Sequence, residues 1–248
     1  MDSDMGRRLA AEVVGSALLT LFGAGAVVAA FFHAGELTYA GFGFVGLSFA
    51  VAIAIAVYAF GPISGAHINP TVTIVLAIVR RFPWRDVVPY IVAQLIGGVV
   101  AGLLILAYVG TQVAEIGGSV GLTQVADDIS VWQGLLAEAV GTYILVTAIM
   151  AMAVDPRGNA AWAGWVIGLS VAAAVFVVGP FSGASLNLQR TLGPYVANTL
   201  AGGDTPWEQL WLYLVGPVIG GTLAAAAYEW ILRPPREEPT GARQEGPP

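Results

Sequence analysis

The chain of 248 residues contains no cysteine, and its ten basic residues include no lysine: all ten are arginine. Without a thiol there is no disulfide, no thiolate nucleophile and no sulfur ligand for a metal. Without lysine there is neither a phosphate-loop ammonium nor a Schiff base. Histidine occurs only as His33 and His67, too far apart to form a metal motif. No cofactor, no metal and no nucleic-acid partner is expected. Charge is scarce as well. Charged residues make up 10% of the chain, against about 25% in a soluble domain.

What is present is apolar. Hydrophobic residues reach 57% and the mean hydropathy is +0.77, so this chain takes lipid as its solvent. Apolar runs near 9–32, 40–60, 87–109, 131–154, 160–179 and 209–232 are each long enough to cross a hydrocarbon core about 30 Å thick. The first follows Arg7 and Arg8 but is too long, and lacks the small-residue cleavage site, for a signal peptide. It is expected to be a retained helix. Residues 1–8 are expected to be a cytoplasmic tail, 9–233 a single membrane domain with repeats at about 9–110 and 131–233, and 234–248 a disordered Pro/Glu-rich tail.

Arginine orients the spans. Arg7, Arg8, Arg80, Arg81, Arg85, Arg157, Arg233, Arg236 and Arg243 all fall on one side of a six-span arrangement. The positive-inside rule makes that side cytoplasmic and puts both termini there; the cell membrane is the expected location. Arg190 alone breaks the pattern.

Arg190 lies in a passage that occurs twice. GPISGAHINPTV at 61–72 and GPFSGASLNLQR at 179–190 share Gly, Pro, Ser, Gly, Ala and Asn, and Asn69 and Asn187 stand 118 residues apart. Each passage is followed by a short apolar segment, 71–79 and 191–201. At a rise of 1.5 Å per residue, such segments cross about half the core. The Gly/Pro/Ser stretch before each interrupts the helix, and irregular backbone at membrane depth is tolerated where protein buries it or it lines a cavity. Asn69 and Asn187 stand at N-cap positions, and Pro70 takes the first helical position, where its missing N–H costs nothing. AEVVG at 11–15 is echoed by AEAVG at 137–141. Each half thus holds three spans and one half-helix, and an odd number of spans inverts the second half. The fold class is an all-α membrane protein with six transmembrane helices, two re-entrant half-helices and an inverted repeat. Paired broken segments in matching positions point to a site at the midplane. There the two half-helix N-termini, each carrying about half a positive charge, repel cations and orient neutral oxygens. The pairs Gly98/Gly102, Gly164/Gly168 and Gly216/Gly220 have the spacing of helix-packing faces.

SGAHINPTVT and SGASLNLQRTLGP, together with AEVVG, AEAVG, YIVAQLIGGVVAG, GLSVA and LYLVGPVIGG in this order, resemble the aquaporin and glycerol-facilitator family, the major intrinsic proteins. The resemblance covers roughly residues 7–233. It implies a lipid-embedded homotetramer with one pore per subunit, a channel and not an enzyme, passing small neutral permeants. It makes Asn69 and Asn187 the paired donors at the pore centre and Phe49, Val175, Ala184 and Arg190 the outer selectivity filter. It also makes Glu12 and Glu138 braces of the re-entrant loops. His67 either lines the pore or braces its loop. Val175 stands where water-selective members resemble a histidine, so the filter is expected to be wider and less polar than a water-only one. The glycerol branch usually places two aromatics in the filter and Asp after the arginine. Here there is one aromatic, and Thr191 follows Arg190.

Two departures stand out. The first motif reads Asn-Pro-Thr; the second reads Asn-Leu-Gln. Leu188 does not preset φ as proline does, and Gln189 either narrows the pore or turns away to satisfy backbone groups. The expected function is a passive channel for water or small neutral solutes such as glycerol, hydrogen peroxide or ammonia. The alternatives are a proton- or ion-coupled carrier, for which Glu12 and Glu138 are the only acidic pair, and a non-conducting membrane assembly protein.

Overall fold

The computed structural model describes residues 3–115 and 120–232. Six long helices cross the molecule: α1 (Ser3–Ala34), α2 (Tyr39–Ser64), α4 (Trp84–Val109), α5 (Val131–Ile149), α6 (Ala160–Ser182) and α8 (Leu212–Ala227). Two short helices, α3 (Pro70–Ile78) and α7 (Leu188–Leu200), lie between spans of their own half. A π-turn extends α5 over Met150–Val154 and α8 over Tyr228–Leu232. With these extensions, six helices are long and apolar enough to cross a membrane. Their outward faces carry exposed Phe22, Leu47, Ile55, Val88, Leu136, Val177 and Leu223, an apolar surface of the kind that meets lipid or another protein. Exposed Trp84, Trp132, Trp162, Trp207, Trp211 and Trp230 lie at or near helix ends, where amphipathic rings match headgroup depth.

Three boundaries differ from the sequence expectation. Helix α1 begins at Ser3, so residues 3–8, expected as part of a tail, are helical. Helices α2 and α6 run through Gly61-Pro62 and Gly179-Pro180 to Ser64 and Ser182. A proline removes one donor, but each helix continues until a left-handed glycine, Gly65 (φ 89°) or Gly183 (φ 79°), ends it. The second half-helix starts at Leu188, directly after its cap Asn187, as the N-cap reading of the sequence expects. The 234–248 tail and Arg233, Arg236 and Arg243 lie outside the described residues.

Glycine lets the helices meet. A Cβ at Gly164 or Gly168 would stand 3.1 or 2.4 Å from the Ala54 or Ala50 carbonyl of α2. One at Gly216 or Gly220 would stand 2.8 or 1.9 Å from the Leu135 or Ala139 carbonyl of α5. Gly98 and Gly102 lie against α7: a Cβ there would be 2.3 Å from the Gln189 carbonyl and 2.2 Å from that of Gly193. Spans α1, α2 and α4 pack on one side and α5, α6 and α8 on the other, with α2 against α6 between the halves.

The face carrying Arg7, Arg8, Arg80, Arg81, Arg85 and Arg157 is tied by ion pairs. Arg8 donates to Asp86 at 3.1 Å and to the Tyr90 hydroxyl at 2.8 Å. Arg81 pairs with Glu229. Asp155, just beyond the α5 π-turn, accepts from the Arg157 guanidinium and from the Tyr228 hydroxyl of α8. The hydrogen-bonded guanidinium holds the Asp155 carboxyl well below the usual carboxylate range.

Candidate functional site

The two re-entrant loops repeat each other in backbone detail. After Gly65, Ala66 and Ile68 have φ of 47° and 43°; after Gly183, Ala184 and Leu186 have φ of 44° and 56°. Left-handed backbone is costly for residues with a Cβ, most of all for β-branched Ile68. It persists because a buried carboxylate anchors each loop. Glu12 accepts from Ser64 Oγ (2.6 Å), His67 N (3.0 Å) and Ile68 N (2.7 Å). Glu138 accepts from Ser182 Oγ (2.7 Å), Ser185 N (2.9 Å) and Leu186 N (2.7 Å). Tyr90 and Tyr213 then donate to the Ser64 and Ser182 carbonyls. Gln94 joins Glu12 to Thr73 and has no counterpart in the second half, where Pro217 occupies the matching place in α8.

At the centre the two asparagines use both ends of their amides. Asn69 Oδ1 accepts from Thr71 N and Asn187 Oδ1 from Gln189 N, so each caps its own half-helix. Asn69 Nδ2 donates to the Leu186 carbonyl at 2.8 Å, and Asn187 Nδ2 to the Ile68 carbonyl at 2.9 Å. The two half-helices are thus joined N-terminus to N-terminus, each asparagine gripping the residue before the other.

A cavity of about 360 Å³ ends at this junction. Its lining includes Asn69, Asn187, Ser185, His67 and the loop residues 65–68, and Arg81 lies on it toward the arginine-rich face. The rest is apolar and arranged by helical turns: Phe49, Ile53 and Val57 from α2, Ile167 and Val171 from α6, Leu145 and Ile149 from α5, Leu19 from α1. Such spacing puts one stripe of each helix on the cavity. His67 lines it and is also tethered, with Nδ1 3.1 Å from Thr73 Oγ1 and its ring against Phe82 and Tyr90.

The four residues assigned to a filter are all buried. Phe49 lines the cavity, and the Arg190 guanidinium carbon lies 5.3 Å from its ring centroid, within cation–π range. Val175, one turn past Val171, and Ala184 belong to the same apolar core as Phe49 and do not line the cavity. Arg190 Nη1 donates to the Gly121 carbonyl at 2.8 Å, and its Nε has no protein partner among the described residues. Gly121 belongs to the 120–125 segment between the short helical turn Thr111–Glu115 and α5. That segment is held in the core by Thr123, whose hydroxyl meets Thr191 at 2.9 Å and whose carbonyl accepts from Tyr195.

Gln189 resolves one of the two open alternatives. Its side chain is fully buried and absent from the cavity lining. The amide turns away, accepting from Thr20 Oγ1 at 2.9 Å and donating to the Ile68 carbonyl at 3.3 Å. Leu188 stands at the first position of α7, half-buried, and Pro70 occupies the same position of α3. No cluster of metal-ligating side chains occurs among the described residues.

Known proteins share this architecture. The family described as Major intrinsic protein matches residues 2–228. Aquaporin AqpM of Methanothermobacter thermautotrophicus is 42% identical over 239 residues, covering 91% of this chain and 97% of that protein. The probable aquaporin AqpM of Archaeoglobus fulgidus is 42% identical over 247 residues, covering 94% of this chain and all of its own. The X-ray structure of the aquaglyceroporin from Plasmodium falciparum superposes with a TM-score of 0.82 at 23% identity, covering 92% of this chain and 97% of that one. The chain therefore belongs to the major intrinsic protein family, as an integral membrane channel with that family's fold.

Proposed function

We propose that each subunit forms one passive pore for water and small neutral solutes, with Asn69 and Asn187 as the donors at its centre. The observation that carries this is the double use of the two amides. Each Oδ1 is consumed by a helix cap, so each Nδ2 faces away from its own half-helix, with one hydrogen given to the opposite loop. An amide nitrogen has two hydrogens, which leaves one at each asparagine for a passing oxygen. The positive ends of two half-helices meet there. A neutral molecule that accepts hydrogen bonds is favoured, and a cation is not.

Phe49, Val175, Ala184 and Arg190 form the outer constriction. Arg190 supplies fixed positive charge, and apolar Val175 leaves room for solutes larger than water. The relatives' names, aquaporin, and that of the structural neighbour, aquaglyceroporin, agree with a range from water to glycerol-sized polyols. Residues 9–233 act as a single channel domain, the functional unit is a homotetramer, and the arginine-rich face with both termini is cytoplasmic in the cell membrane. A coupled carrier would need Glu12 and Glu138 free to take up ions, whereas both carboxylates are occupied by loop donors.

Stopped-flow light scattering on proteoliposomes, comparing water with glycerol, tests the proposal. Fast shrinkage in an impermeant osmolyte and re-swelling in glycerol support it. A correctly assembled tetramer with the permeability of empty vesicles would favour an assembly role instead.

A further inference from the structure

The inverted repeat pairs residues of one half with partners in the other, and besides Gln94 the pairing fails at a second buried polar contact. Gln189 corresponds to Thr71, and Thr20 of α1 corresponds to Val146 of α5. In the second half-helix the Gln189 amide meets the Thr20 hydroxyl at 2.9 Å. In the first, Thr71 Oγ1 has no hydrogen-bond partner among the described residues. Space for the longer side chain comes from Gly98, where a Cβ would stand 2.6 Å from Gln189 Oε1.

The consequence falls on two carbonyls. A carbonyl oxygen accepts two hydrogen bonds. The Leu186 carbonyl receives one side-chain donor, Asn69 Nδ2. The Ile68 carbonyl receives two, Asn187 Nδ2 at 2.9 Å and Gln189 Nε2 at 3.3 Å. Ile68 lines the cavity; Gln189 does not. The amide, from outside the cavity, therefore reaches the carbonyl of a residue that lines it.

We propose that Gln189, seated by Thr20 and Gly98, is a positioning residue for charge selectivity: it fills the second acceptor site of the Ile68 carbonyl and so withdraws that oxygen from permeating molecules. An uncapped carbonyl at the midplane is a cation ligand, sitting where the half-helix ends otherwise repel positive charge. The capped carbonyl adds no such attraction. Thr20 orients the amide, because its hydroxyl hydrogen fixes Oε1 and leaves Nε2 toward Ile68. The inference rests on the channel function proposed above.

The test measures proton flux with an entrapped pH-sensitive dye and water flux by light scattering, in the same proteoliposomes. Gln189→Met keeps the length and removes both hydrogen bonds. Proton flux per unit water flux is expected to rise about fivefold, the weight of one net hydrogen bond. Thr20→Val is expected to raise it less, and Thr20→Ser, which keeps the hydroxyl, to restore the unmutated ratio. Should Gln189→Met fail to fold, the Thr20→Val and Thr20→Ser pair decides alone. An unchanged ratio in the folded Gln189→Met protein, or the same ratio for Val and Ser at position 20, overturns the inference even where thermal stability falls. Absence of water flux through the unmutated protein would instead overturn the channel function, and the inference with it.

Discussion

Glu12 and Glu138 hold equivalent groups in the two halves: each carboxylate accepts from a serine hydroxyl and from the backbone N–H groups of the second and first residues before its asparagine. Both side chains are fully buried. Glu12→Gln or Glu138→Gln replaces one acceptor oxygen by an amino group facing a donor. Each is expected to cost about 1–3 kcal/mol, the range for an unsatisfied buried polar group. Thermal unfolding of the purified protein measures this, and unchanged midpoints in both variants would show that the loops hold their left-handed backbone without the carboxylates.

Arg190 is buried against Phe49 and fixed by the Gly121 carbonyl. Arg190→Val removes the fixed charge while keeping an apolar contact to the ring. The variant is expected to admit protons that the unmutated protein rejects, measured as dye response to a pH jump, with water flux equal or higher. Unchanged proton exclusion in a folded variant would take Arg190 out of the filter.

Val175 offers no hydrogen bond. Val175→His adds a polar ring one turn beyond the Val171 stripe, narrowing and polarising the constriction. The glycerol-to-water permeability ratio is expected to fall severalfold. A ratio that stays the same would place this position outside the permeation path.

Leu188 stands where Pro70 stands in the other half, and the caps before them share a φ of −158°. Leu188→Pro is therefore compatible with the helix start, and proline narrows the unfolded ensemble. Stability is expected to stay level or rise by about 0.4–1 kcal/mol, with little change in water flux. A sharp drop in the unfolding temperature would mean that Leu188 makes apolar contacts that proline cannot replace.

Much of this arrangement is legible in sequence because lipid imposes simple rules. Span length, arginine placement and the doubled passage lead directly to six crossings and two half-helices, and Asn69 and Asn187 declare themselves by their place before short apolar segments. What escaped is what backbone and rotamer decide. The Gly121 carbonyl that fixes Arg190 has no residue-type signature, since any residue supplies a carbonyl. The hydroxyls of Thr123 and Thr191 meet across 68 residues of chain, a distance that periodicity does not see. The direction taken by Gln189 depends on Thr20, a residue 169 positions away that carries no pattern of its own. At Gly61-Pro62 and Gly179-Pro180 both dipeptides signal a break that the surrounding spans override, and the helices end at Ser64 and Ser182.

The crossed amides at the centre also bear on how the protein is assembled. The hydrogen that satisfies the Leu186 carbonyl belongs to the first half, and the one that satisfies the Ile68 carbonyl to the second. Neither half supplies the amide donor to its own loop carbonyl. Within the first half Glu12 anchors the loop around Ile68, but the acceptor for Asn69 Nδ2 and the amide donors to the Ile68 carbonyl come from the second. The two halves are thus complementary at the pore centre, each supplying the amide hydrogen that the other's loop carbonyl accepts.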